Sequence, residues 1–137
     1  MRKLLVFLIF SFTLVTAQAA LPAPLQEFVD AYNTELAGQS ADGMKFGRAV
    51  LEGIDIVVPI YMDDSELLEY NMGLKDAIDL MGGEEYIESL MLLAVFEEGG
   101  NDETLALLKK YKYNFVFRII GTASKDKVNI RIRWQDI

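Results

Sequence analysis

The chain has 137 residues, 52% apolar and 25% charged, a balance that excludes intrinsic disorder and suits one folded domain. It has no cysteine and no histidine, which removes disulfide frameworks, thiol nucleophiles, Cys/His zinc sites and every mechanism that needs imidazole as a base. Its formal charge of −8 argues against a nucleic-acid partner, which calls for a strong basic face.

Residues 1–19 read as a cleavable export signal. Arg2 and Lys3 supply the positive start, and between Leu4 and Val15 only Ser11 and Thr13 are not apolar. Ala17-Gln18-Ala19 offers the small residues a signal peptidase needs, placing the cut before Ala20. An uncleaved anchor requires about 20 apolar residues, more than this core supplies. No cysteine stands at the cut, so a lipoprotein is not expected. The expected product is residues 20–137, a single α+β domain of bacterial type, periplasmic or secreted, with no membrane span after cleavage. Lacking disulfides, it must be held by its core alone.

Pro22 and Pro24 suit an extended lead-in and a first helical turn. Leu25, Phe28, Val29, Tyr32 and Leu36 then fall at helical spacing, with Gly38 as a stop. After a polar turn at Ser40–Gly43, Met44–Leu51 and Ile54–Met62 read as two strands joined as a hairpin by Glu52-Gly53. In the second, Ile54, Ile56, Val58, Ile60 and Met62 alternate onto one face, and Pro59 argues for an edge or a strand end.

Asp63-Asp64-Ser65-Glu66 looks like a helix entrance with capping acids. Leu67, Tyr70, Leu74, Ala77, Ile78 and Met81 follow at helical spacing, and Gly73 marks either a close contact or a break. Gly82-Gly83 ends this helix and Glu84-Glu85 opens the next. Its uninterrupted apolar run Leu90–Phe96 predicts the most buried helix, with a buried strand as the competing reading. A short helix from Asp102 buries Leu105, Leu108 and Tyr111. Two strands close the chain, Tyr113–Ile120 and Lys127–Gln135. In the last, Val128, Ile130, Ile132 and Trp134 face the core, opposite Lys127, Asn129, Arg131 and Arg133. The order α-β-β-α-α-α-β-β predicts a two-layer α+β domain. Two hairpins would form a four-stranded antiparallel sheet, with helices on one face.

Charge is unevenly spread. Residues 109–137 carry a net +6 and residues 20–108 a net −16. Arg131, Arg133 and Lys127 lie on the polar face of the last strand, and Arg118 on its neighbour can join them. Such a face suits carboxylate or phosphate groups, as on an acidic protein surface or an anionic glycan. An ordinary solvated sheet face is the competing reading, and the binding reading fails if Arg131 and Arg133 pair with acids of the same chain.

Asp63, Asp64 and Glu66 could ligate a cation, as could Glu97, Glu98, Asn101, Asp102 and Glu103, but helix capping and a solvated loop explain both groups without a ligand. Asp76 and Asp79 share a helix face without a nucleophile beside them. No phosphate loop, nucleophile elbow, cofactor motif or metal motif is present, so no catalytic, cofactor or metal residue is assigned.

The succession of export signal, helix, hairpin into Ile56-Val57-Val58-Pro59-Ile60-Tyr61-Met62, acidic helices and closing basic hairpin resembles the small exported bacterial domains of unknown function. The resemblance is one of layout and carries no site residue. The expected function is an exported, non-catalytic binding or protein-interaction domain that engages an anionic partner through Arg118, Lys127, Arg131 and Arg133. The alternatives are a carboxylate-based hydrolase working without histidine or cysteine, and a subunit that self-associates in a salt-dependent way.

Overall fold

A computed structural model describes residues 21–41, 43–97 and 100–137. The predicted export signal lies outside the described residues.

Helix α1 (Ala23–Glu35) opens on Pro22 and Pro24 as the sequence predicts, and buries Leu25 and Val29. Strands β1 (Ser40–Ala41), β2 (Met44–Phe46), β3 (Val50–Glu52) and β4 (Asp55–Met62) follow. Three short helices come next: α2 (Ser65–Glu69), α3 (Leu74–Leu80) and α4 (Glu84–Met91), the last running into a π-helical turn at Leu92–Glu97. Helix α5 (Asp102–Tyr111) leads to β5 (Asn114–Gly121) and β6 (Lys127–Ile132), and a 3-10 turn at Trp134–Asp136 ends the chain.

The sheet overturns the predicted four-stranded antiparallel arrangement. Among the described residues it has six strands in the order β1-β2-β4-β5-β6, with β3 also pairing β4, and its central pair β4–β5 is parallel over all eight positions from Asp55↔Asn114 to Met62↔Gly121. The hairpins β3–β4 and β5–β6 are each antiparallel, but they join through a parallel seam. The reason is the helical segment between them, a crossover that returns the chain to run in the same direction.

The edge formed by β2 and β3 explains a second departure. The predicted strand Met44–Leu51 is interrupted, because Phe46 pairs Ile60 while Val50 pairs Val57. Residues 47–49 therefore face only Val58 and Pro59, which is a β-bulge. Pro59 stands inside the central strand β4, not at an edge, and the bulge is where its missing N–H is tolerated. Its carbonyl still accepts from Gly47 N at 2.8 Å. Gly47 has no space for a side chain, since a Cβ there would lie 2.6 Å from Pro59 Cγ. The amide of Ala49, freed from the ladder, donates to Asn33 Oδ1 at 2.8 Å, and Tyr32 Oη donates to Gly47 O at 2.9 Å. Helix α1 is thus latched to the bulge, and burial pushes the Tyr32 phenol up to about 12.

One face of the sheet carries the core. Ile56, Val58 and Ile60 of β4, Phe115, Phe117 and Ile119 of β5, and Val128, Ile130 and Ile132 of β6 pack against Leu25, Leu74, Ile78, Ile87, Phe96 and Leu108. Phe115 is its centre, with Phe96 edge-on at 5.3 Å and Phe117 at 5.0 Å.

Several local expectations are corrected here. Gly73 marks a break, being the residue before α3, so the long predicted helix is two. Leu90–Phe96 is not the most buried helical stretch: Phe96 is fully enclosed, but Leu90 and Leu93 are exposed. An apolar run around a helix fills every direction, while this one meets the core on one side only. The last strand stops at Ile132, so Arg133 and Trp134 belong to the terminal turn. Trp134 is half-buried beneath Lys112, whose Nζ is 5.6 Å from the ring centre.

Candidate functional site

The four cations predicted to bind an anion are only partly brought together. Arg118 and Arg131 share the outer face of the sheet with Lys127, as the register requires, while Arg133 lies beyond it. Arg118 makes a bidentate contact with Glu52, at 2.8 and 3.0 Å, and its Nε donates to Asn129 Oδ1 at 2.9 Å. The Arg118 guanidinium holds the Glu52 carboxyl below the usual carboxylate range. Arg131 pairs with Asp55 at 3.1 Å and Arg133 with Asp136 at 3.1 Å. Lys127 lines an open depression with Lys75, Glu84 and Asp126.

Three of the four predicted cations are therefore matched by acids of their own chain. Val57 and Val116 lie on the outer face yet are only 1% and 0% exposed. The Arg118–Glu52 bridge reaches from β5 to β3 across β4, and the Arg131–Asp55 bridge from β6 to β4 across β5. Each bridge thus crosses a strand whose outer-face valine is buried, Val57 on β4 and Val116 on β5.

Of the acidic groups, Asp64 is 2% exposed and does not cap α2 through its side chain. It reaches to the β5–β6 turn, accepting from Ala123 N at 3.0 Å, from Ser124 N at 3.2 Å and from Ser124 Oγ. The Ser124 hydroxyl, followed by the two amides, holds this carboxyl below its ordinary value in spite of burial. Gly121 makes room for it, since a Cβ there would sit 2.6 Å from Asp64 Cγ. Asp63 Oδ1 accepts from Ser65 N at 3.0 Å, and Asp76 Oδ2 accepts from Gly73 N at 2.9 Å. These acids serve backbone amides, and among the described residues no three carboxylates gather as a metal cage would require. Burial pushes the Glu88 carboxyl up, with Asp136 adding to the effect.

The most ligand-like feature is one the sequence reading missed. A cavity of about 320 Å³ lies between α2–α4 and the sheet. Its floor is Met44 of β2, Ile60 and Met62 of β4 and Ile119 of β5; its walls are Leu67, Leu74, Ala77, Ile78, Ile87 and Met91. Met81 and Leu90 both line it and stand 59% and 41% exposed, so they form its mouth. Every lining side chain is aliphatic or a thioether. The volume sits at the lower end of the roughly 300–1,000 Å³ typical of small-molecule sites. Four of the chain's six methionines line it, and methionine adapts its shape to what it touches.

Two other concavities are less suited to a ligand. One of about 470 Å³ is an open depression with Asp30, Asn33 and Arg48 among apolar residues. The other, about 420 Å³, lies beside Phe28, Tyr32 and Phe46, largely aromatic walls already engaged in the core. No helix among the described residues is long and apolar enough to cross a membrane.

Comparison of the chain with protein-family models, with curated proteins and with solved structures found no match. The layout resemblance therefore lends no residue to either site.

Proposed function

We propose that the chain is an exported, non-catalytic binding domain whose ligand enters the apolar cavity between α2–α4 and the sheet. The observation that carries this reading is the cavity's uniform lining with an accessible mouth at Met81 and Leu90. Covering a fully exposed side chain of that size contributes about 1.5–3 kcal/mol, so a ligand spanning mouth and cavity needs few polar contacts. Export rests on the pattern of Arg2, Lys3, Leu4–Val15 and Ala17-Gln18-Ala19. The non-catalytic reading rests on the buried carboxylate Asp64 being engaged by the Ser124 hydroxyl and two backbone amides, and on the absence of any acid among the cavity's lining residues. The anionic-partner reading through Arg118, Lys127, Arg131 and Arg133 is set aside, because Arg131 and Arg133, with Arg118, are paired with acids of the same chain.

Uptake of the neutral dye Nile red is the direct test. The protein should enhance its fluorescence at one saturable site, and Ala77→Phe, which fills the cavity from its wall, should abolish the enhancement. Leu90→Glu at the exposed mouth should weaken it without unfolding the protein. Enhancement unaffected by both variants would sink the cavity as the site. The mass of the secreted protein should begin at Ala20; a mass that includes Met1 would remove the export reading.

A further inference from the structure

The helical layer that walls the cavity also leaves apolar side chains exposed, and Met81 and Leu90 belong to both. Leu68, Tyr70, Leu80, Met81, Tyr86, Leu90 and Leu93 make up seven of the eleven large hydrophobic side chains left exposed among the described residues, and all fall on α2–α4 and the turn that follows. Residues 65–91 also carry seven carboxylates against the single Lys75, a net of −6. Asp79, Glu84 and Glu85 line one open depression at the α3–α4 turn, with Lys75 the single cation among them.

We infer that this face docks a cationic amphipathic segment of another protein, whose apolar side enters the cavity while its lysines or arginines meet the acidic border. The inference rests on the cavity reading above and names its partner. Charge complementarity selects it. A fatty acid or an anionic bilayer would bring negative charge to a border that already repels it, and no cation lines the cavity to receive a carboxylate. A small apolar molecule would fill the cavity without engaging the acidic residues of α3 and α4. An amphipathic helix engages both, placing apolar residues from successive turns into a groove while its polar side meets the border. Thioether walls at Met62, Met81 and Met91 accommodate side chains of differing shape.

The test compares three peptides of about 18 residues, five helical turns: one of leucine and lysine in amphipathic order, one with glutamate for lysine, and one with serine for leucine. The leucine–lysine peptide should bind and displace Nile red. The leucine–glutamate peptide should bind roughly tenfold or more weakly at low salt, and the gap should narrow as salt rises. Asp79→Lys/Glu85→Lys, which brings the face from −6 to about −2, should narrow the preference and leave dye uptake unchanged. Equal affinity for the two leucine peptides, or for the serine–lysine peptide, would overturn the inference, as would adsorption to anionic vesicles at low salt. If the dye itself is not taken up, the cavity reading falls; if the dye binds and charge makes no difference, only the cationic partner falls.

Discussion

Asp64 makes the residue scale concrete. A carboxylate enclosed by protein is costly to ionise unless donors surround it, and here Ser124 Oγ and two amides do so. The arrangement ties the entrance of α2 to the β5–β6 turn across 60 residues of sequence. Asp64→Ala should cost about 2–4 kcal/mol, because three donors lose a charged acceptor. The pH dependence follows from the direction of the shift. Since the folded-state pKa is depressed below the ordinary value of about 3.9, the contribution is fully present above that pH. It is lost as pH falls through the lower, folded-state value. Denaturant midpoints for wild type and Asp64→Ala should therefore differ most near neutrality and converge in acid. A gap that stays constant down to acid unfolding would assign the stabilisation to something other than this carboxylate. In the sequence, Asp64 was visible only as one of several capping acids. Local pattern identifies an acid at a helix start, but not the distant turn that buries it.

At the scale of elements, the bulge at residues 47–49 couples helix to sheet. Pro59 removes a ladder donor, the bulge takes up the extra residue, and Asn33 and Tyr32 satisfy the freed backbone groups. Asn33→Ala should cost about 1–2 kcal/mol, since it leaves the Ala49 amide without its acceptor, and Tyr32→Phe about 1 kcal/mol. Because both act on one latch, the double variant should lose less than the two single losses added, which equilibrium unfolding of the four proteins would read. Strict additivity would mean the two contacts act independently. Helix α1 and strand β6 were legible from period alone, because each has one buried face, whereas β4 and β5 are buried on both and were legible as short apolar runs. The bulge was not: Pro59 signals an interruption, but whether it lies at an edge or inside depends on which strands flank it. The cavity escaped for a related reason. Leu67, Tyr70, Leu74, Ala77, Ile78 and Met81 read as the stripe of one helix, but the chain breaks at Gly73 and Tyr70 is exposed, and periodicity cannot say whether facing stripes close on each other. The surplus of apolar residues at Leu80 and Leu90–Leu93 was the available clue, since a single stripe does not need them.

Across the whole molecule, the sheet divides the charges. Its outer face is self-neutralised by Arg118–Glu52 and Arg131–Asp55, while the helical side remains acidic. The strong contrast between the two halves of the sequence is thus reduced on one face and retained on the other, which linear charge counting could not distinguish. The four-stranded expectation failed at this scale as well. Two hairpins can join edge to edge in either orientation, and only the path of the intervening helices chooses. The parallel seam also makes the halves interdependent, as when Asn114 Nδ2 donates to Asp55 Oδ1 at 2.9 Å, 59 residues away. Unfolding should accordingly be a single transition, with far-ultraviolet dichroism and Trp134 fluorescence changing together. Separated midpoints would mean that the helical layer or the terminal turn melts as its own unit.

The same seam sets a timetable. Strand β4 has β2 and β3 on one side from early in the chain, but its other side waits for β5, which arrives only after every helix has been made. Pairings so distant in sequence form slowly and late. A chain shortened before Asn114 should therefore lack the partner on one whole side of β4 and fail to reach the cooperative fold.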